Sequence, residues 1–445
     1  MNDYAPASSV GWLDFDAAAS ERVATLLRSL EEPATLDVLG LGTIRDVLAE
    51  MLSPGTSTIH TRLRYFIFLP WIFQRLEAER DPAADFARRL RDAEARLINS
   101  LRHLGANQGV IGVVSGRKLK RMPSEIYWGG LRSWGIRKFD ATIAQYGQWA
   151  ASSRRRQLQR DDDHNATERA ETMWAALPPP PDDFPSGSIT FELEADEAQI
   201  LTDSIRQQRP HSLVAVLSAV PGLSLDAVGF PWEISLDGHS DRLAEAMRHA
   251  QCFSELTLGP QLVYNLLLAR KASTELGRDT KKLEDIQVER LHDWSLLVER
   301  RNNKLRHWVD KRDEFQQVLA GYAPAPSTMH FWDDLAQRAV NDPSGFAEDR
   351  EVHRLIAERE RRLKSKRARL SYRAALENWN LAPAGGQLDY RWPVTKSFLT
   401  DLAAASGLPT ASGSTTPQHT VVDERTGPAD HRTADADRDA ARRED

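Results

Sequence analysis

Apolar residues recur along this chain mostly at helical spacing. Val23, Leu26, Leu27 and Leu30 fall at i, i+3, i+4 and i+7 behind Asp16, a residue type that caps helices, and Pro33 ends the run. Ile44, Val47, Leu48, Met51 and Leu52 line one face of a second predicted helix, with a capping box at Thr43 to Asp46 and a stop at Ser53-Pro54-Gly55. From Tyr65 to Phe73 the sequence is apolar on every side, the pattern of a buried central helix, and Pro70 within it predicts a kink or break. Phe86 to Leu104 is amphipathic with a basic outer face, and Gly105 to Gly116 carries four glycines and predicts a loop. Pro123 opens a short helix through Ile126, Leu131 and Trp134 that Gly135 ends. Asp140 is placed to cap the next one, through Ile143, Tyr146 and Trp149. The helix, turn and helix over Ser124 to Asp140 suggest a winged-helix-like unit.

Periodicity lapses from 152 to 187. There Arg154-Arg155-Arg156 and Asp161-Asp162-Asp163 precede Trp174 and four prolines, Pro178 to Pro181, which favour an extended spacer. Ile189, Phe191 and Leu193 then alternate with Thr190, Glu192 and Glu194, the one clear strand signal. Helical spacing resumes over Leu243 to Ala272, interrupted at Gly259-Pro260, over Val288 to Leu319, and over a long basic stretch from Glu351 to Trp379. After Ser406 large apolar residues almost vanish, which predicts a disordered tail. The expected fold is mainly α. Two helical domains, 8–151 and 188–405, are joined by a linker at 152–187 and followed by a tail at 406–445, with a minor β element and no internal repeat.

Composition adds few constraints. Hydrophobic residues are 41% and charged residues 27%, with a net charge of −6, ordinary for a folded soluble protein. The start of the chain lacks the basic and apolar blocks of a signal peptide, and the run Tyr65 to Phe73 is too short to span a bilayer, so a cytoplasmic protein without membrane contact is expected. One cysteine, Cys252, can form neither an internal disulfide nor a cysteine zinc site.

Local charge is more informative than the total. Between His60 and Lys138 there are 16 Lys/Arg against 7 Asp/Glu, densest at Arg117, Lys118, Lys120 and Arg121, then Arg132, Arg137 and Lys138. Tyr127, Trp128 and Trp134 are interleaved with those cations. Such a surface attracts phosphate backbones through counterion release, and aromatic faces stack on unpaired bases; the alternative is that the three aromatics are core. A second block, Arg354 to Arg373, holds 9 Lys/Arg against Glu358 and Glu360. Ile356, Leu363 and Leu370 recur every seven residues there, a narrow seam by which the helix could dock while Arg361, Arg362, Lys364, Lys366, Arg367 and Arg369 face a polyanion.

Catalytic motifs do not accompany these blocks. No phosphate loop, G-x-G-x-x-G, H-E-x-x-H or G-x-S-x-G occurs, and the twelve histidines lack metal-ligand spacing, so no cofactor or metal is expected. Glu192, Glu194 and Asp196 are the nearest approach to nuclease carboxylates, without a lysine close by.

Several stretches resemble a bacterial family of unknown function. They are Ser9-Val10-Gly11-Trp12-Leu13-Asp14-Phe15, the long motif from Gly55-Thr56-Ser57-Thr58-Ile59 to Pro70-Trp71, then Pro123 to Leu131, Leu262 to Ala269, and Leu388-Asp389-Tyr390-Arg391-Trp392. That family has no activity or catalytic residues to transfer. The resemblance implies company with helicases and phospholipase-D-like nucleases in bacterial defence gene clusters. In the long motif, Thr58, Thr61, Arg62 and Arg64 form a polar island suited either to phosphate contact or to structural bonds. The expected role is a non-catalytic accessory protein that binds DNA or RNA beside helicase or nuclease subunits. A protein–protein scaffold and a metal-dependent nuclease are the alternatives.

Overall fold

In the computed structural model, residues 37–78, 85–103, 108–150, 173–220, 223–235, 240–319, 321–322 and 324–406 are described. The predicted helix behind Asp16, residues 152–172 of the expected linker and the tail beyond Ser406 lie outside them. Helix α1 (Gly42–Leu52) begins where the Asp37 carboxylate accepts the backbone N–H groups of Leu41 (2.8 Å) and Gly42 (2.5 Å). Asp37, not the expected Thr43 box, therefore satisfies the first orphan amides.

Helix α2 (Tyr65–Ala78) is the centre of the first helices, and every residue from Tyr65 to Phe73 is buried. The run is apolar all round because it is covered all round. Helices α3 (Phe86–His103) and α4 (Pro123–Ser133) pack on it, and Trp134, Phe191 and Phe398 contribute rings to its surroundings. Pro70 does not break the helix. Gly135 ends α4 with a left-handed turn (φ 70°), and residues 143–150 form α5, where Thr142 and Gln145 bond each other's backbone N–H groups; Thr142 rather than Asp140 is the cap.

The described part of the expected linker is pinned to these helices. Trp174 is buried and donates to the Tyr146 hydroxyl (2.9 Å), Trp71 donates to the Pro178 carbonyl (2.7 Å), and Phe184 is buried with its carbonyl bonded by Arg75. Ile189, Phe191 and Leu193 are buried and their neighbours exposed, as alternation demands, yet they pair with no strand. The side chains sit on helices instead of a sheet, and among the described residues the one β contact is an isolated antiparallel bridge, Arg137 to Trp174.

After α6 (Ala195–Gln208) and the short α7 (Leu213–Leu217), helix α8 (Asp241–Leu276) runs for 36 residues straight through Gly259-Pro260. The expected interruption is a packing device: a Cβ at Gly259 would lie 2.4 Å from the Trp294 ring of α9 (Lys281–Asp310), so the bare backbone admits the indole. Gly277 (φ 61°) turns the chain, and α9 returns antiparallel along α8, with Arg301 beside Cys252 and the Trp308 indole on His249. Short α10 (Arg312–Val318) and helix α11 (Pro326–Asn341) follow, the latter packed on α8 and α9. Helix α12 (Arg350–Lys364) packs on α8 and α11 but stops at Ser365 (φ 49°), far short of the expected 379; a 3₁₀ turn and α13 (Arg373–Glu377) continue the chain.

Helix α14 (Trp392–Ala405) carries the chain back to the beginning. Arg391 donates to the Glu50 carboxylate (3.1 Å) and the Thr56 carbonyl (2.7 Å), and the Thr395 hydroxyl to that of Ser53 (2.8 Å). One apolar core consequently runs from Val38 to Leu402, taking side chains from both sides of residues 152–187.

Candidate nucleic-acid interface

The first basic block is largely consumed by the fold. Arg64 is buried against Glu197 in a two-pronged pair at 2.9 Å and also donates to the Thr190 carbonyl (3.1 Å). Arg62 pairs with Asp401 at 3.0 Å. The Thr61 hydroxyl donates to the Gly109 carbonyl (2.6 Å), and its N–H to the Tyr127 hydroxyl (2.9 Å). Arg137 is 4% exposed, donates to the carbonyls of Phe139 and Ala141, and lies 4.4 Å over the Trp128 ring. These arginines hold loops and helix ends together, which corrects the expectation that they face a polyanion. Of the two readings of the aromatics, the structure shows core: Tyr127 and Trp134 are fully buried, and Trp128 packs on the core and donates to the Ala141 carbonyl (2.7 Å).

What is left of this block is scattered. Arg117 is paired with Asp92 at 2.7 Å, while Arg91 fixes the turn through the carbonyls of Arg117 and Leu119. Lys118, Lys120, Arg132 and Lys138 are exposed and Arg121 is half-buried.

The second block is organised around one carboxylate. Glu360 is fully buried and accepts from the Tyr264 hydroxyl (2.5 Å), the Lys364 ammonium (3.2 Å) and the Leu370 backbone N–H (2.9 Å). Leu370 lies ten residues on, so this carboxylate ties the end of α12 to the strained turn that follows. Burial lowers the Lys364 pKa despite the Glu360 charge, and its Nζ sits 5.2 Å from the Tyr264 ring centroid. Arg359 is buried, with its guanidinium on the carbonyls of Leu39 (2.8 Å) and Gly40 (3.2 Å) and on the Thr328 hydroxyl (2.7 Å). Arg354 is held between Glu351 and Glu358, and Arg373 by Glu377. Lys364 and half-buried Arg369 thus turn inward.

Four cations remain. Arg361, Arg362, Lys366 and Arg367 are exposed on one short stretch and, among the described residues, have no carboxylate within ion-pair distance. Both acids of the block are already engaged. Leu363 (44% exposed) and Tyr372 (41% exposed) lie among them, so the expected seven-residue seam is broken at Leu363, between buried Ile356 and Leu370, which packs on the core. The structure therefore gathers four of the six residues expected here and leaves the first block divided.

Two of the carboxylates considered for nuclease chemistry, Glu194 and Asp196, sit at a helix start. Glu192, Glu194 and Asp196 are exposed; the Asp196 carboxylate accepts the Glu197 N–H (2.8 Å), and the Glu197 carboxylate accepts the Glu194 N–H (3.0 Å) while holding Arg64. Sequence reading missed a second feature, a cavity of about 540 Å³ lined by Phe86, Arg91, Glu94, Met122, Ser124 and Gly147. Burial pushes the Glu94 carboxyl up to about 8, although it accepts the Ser124 N–H (2.6 Å) and hydroxyl (3.1 Å). A glutamate midway along an amphipathic helix gave no hint of this, since its partner lies thirty residues away.

Fold and site together define a mainly α-helical protein that presents a cationic turn clamped from beneath by a buried Tyr–Glu–Lys cluster. The chain belongs to a family of unknown function (DUF6361), whose model matches residues 7–406. No curated protein and no solved structure matches it. Among the described residues no helix is long and apolar enough to cross a membrane.

Proposed function

We propose that this protein is a non-catalytic, cytoplasmic nucleic-acid-binding accessory factor, acting beside helicase or nuclease subunits of a bacterial DNA-processing or phage-defence system. One observation carries the reading: the last turn of α12 and the turn after it leave Arg361, Arg362, Lys366 and Arg367 without an ion-pair partner among the described residues, while Glu358 is paired with Arg354 and Glu360 is bound in the interior. Clustered cations without local counter-charges gain most from displacing counterions off a phosphate backbone. Tyr372 adds a ring at the edge of the patch that an unpaired base could stack on.

Fluorescence anisotropy with labelled single- and double-stranded oligonucleotides between about 50 and 200 mM salt tests the proposal. If all four cations meet phosphates of B-form DNA, replacing them with alanine lowers the slope of log K against log salt by about 3–4. Equal affinity and slope in the quadruple variant refute it. The exposed Leu363 among these cations favours one second reading, a scaffold whose turn docks an acidic protein partner. Leu363→Ala would then abolish partner capture with oligonucleotides bound by neither protein.

A further inference from the structure

Leu283, Ile286, Arg290, Asp293, Leu297 and Arg300 recur along α9 at alternating steps of three and four. They form a stripe about 100° around the helix from Gln287, Leu291, Trp294 and Val298, the residues buried in the fold. Ile286 is 40% exposed; Asp293 and Arg300 are exposed, and Leu283, Arg290 and Leu297 are half-buried. Among the described residues Arg290, Asp293 and Arg300 have no ion-pair partner. Leu283 and Leu297 rest partly on the chain's own core while Ile286 and the charged residues face outward, so the stripe is a partly open helix face whose seam spacing makes half of a coiled-coil interface.

The order of the stripe identifies the other half. Read backwards it pairs with itself: with two antiparallel copies centred between Leu291 and His292, Arg290 meets Asp293 of the partner subunit and Ile286 meets Leu297 of the partner subunit. Leu283 then lies along the aliphatic stem of Arg300 of the partner subunit. Each pair occurs twice, as a two-fold axis requires. Other arrangements fail. A parallel pair sets Arg290 and Asp293 each against its own copy. A slip of one heptad puts Arg290 against Arg300, or Ile286 against Arg290. We infer that this face of α9 joins two copies of the chain in an antiparallel dimer, with the Arg290–Asp293 pairs fixing the register.

Sedimentation and light scattering on the full chain test the inference. The wild type should run at twice the 50.1 kDa chain mass. Arg290→Asp and Asp293→Arg each oppose like charges twice and should weaken dimerisation at least about tenfold, and the double variant, which restores opposite pairs, should recover it. A monomeric wild type, a single variant that dimerises normally, or a double variant that stays monomeric would each overturn the proposal. Circular dichroism melts on the variants separate lost pairing from lost folding. Register is read independently by cysteines. Ile286→Cys with Leu297→Cys should cross-link two chains under oxidation. Ile286→Cys alone should not, because its copies lie eleven residues apart along the helix, about 16 Å. Cross-linking by the single cysteine would refute the register.

Discussion

Arg64 and Glu197 stand 133 residues apart in the chain and meet in the interior, Nη2 to Oε1 and Nε to Oε2, both at 2.9 Å. The pair joins the start of α2 to the start of α6. Removing one member of a buried pair leaves a charge with neither water nor counter-ion, a loss of about 3–5 kcal/mol. Glu197→Ala should therefore lower the urea midpoint sharply at unchanged m. Arg64→Met combined with Glu197→Leu should cost less than Glu197→Ala alone, because no orphan charge remains.

The close passage of α8 and α9 depends on Gly259. A methyl group there would stand 2.4 Å from the Trp294 ring, whose Nε1 donates to the Glu255 carbonyl at 2.7 Å and so resists displacement. Overpacking of this kind costs about 1–3 kcal/mol. Gly259→Ala should destabilise by that amount, and adding Trp294→Phe should return part of it, seen as a partial recovery of Tm.

Two buried carboxyls set a pH dependence. Burial pushes Glu94 up to about 8 and Glu77 up to about 7. Each favours folding in its protonated form, so its stabilising contribution is complete below the ordinary carboxylate range. It is lost as pH rises through 7 and 8. Stability, read from denaturant midpoints, should fall from about pH 5 to about pH 9, by about 4 kcal/mol through Glu94 and about 3 kcal/mol through Glu77 at most, at roughly 1.4 kcal/mol per pH unit for each carboxyl. Glu94→Gln, which cannot ionise, should flatten much of that decline; an unchanged profile would show that Glu94 does not titrate there.

Legibility in the sequence followed the range of the interaction. Tyr65 to Phe73 announced a buried helix because its apolar pattern is local and complete. Pro70 suggested a kink or break and Gly259-Pro260 an interruption because their local cost is visible in sequence, whereas the burial that keeps both helices continuous is not. Alternation at Ile189 to Leu193 foretold which side chains are buried but not what covers them, and helices took the place of a sheet partner. The cationic blocks were legible as counts only. Asp401 is 339 residues from Arg62, so nothing near that arginine in the chain marked it as already paired. Which cations stay free in the second block depends on where Glu360 points, a fact of packing.

Glu360 offers a direct handle on the proposed interface. Its carboxylate joins Tyr264 on α8, Lys364 at the end of α12 and the Leu370 backbone, with the cationic turn strung between the last two. Glu360→Ala removes three bonds and leaves the Tyr264 hydroxyl and Leu370 N–H without their acceptor. Buried groups abandoned in this way cost about 1–3 kcal/mol each, although local opening of the turn relieves part of the total. The turn contains Lys364, Lys366, Arg367 and Arg369, all trypsin sites, so limited proteolysis should report its opening. The wild type should resist cleavage between 364 and 369, and Glu360→Ala should be cut there first while the rest of the chain stays intact. Tyr264→Phe, which loses one bond of the three, should fall between them. Equal resistance in all three would show that the turn is held by its packing on α8 and not by the buried carboxylate.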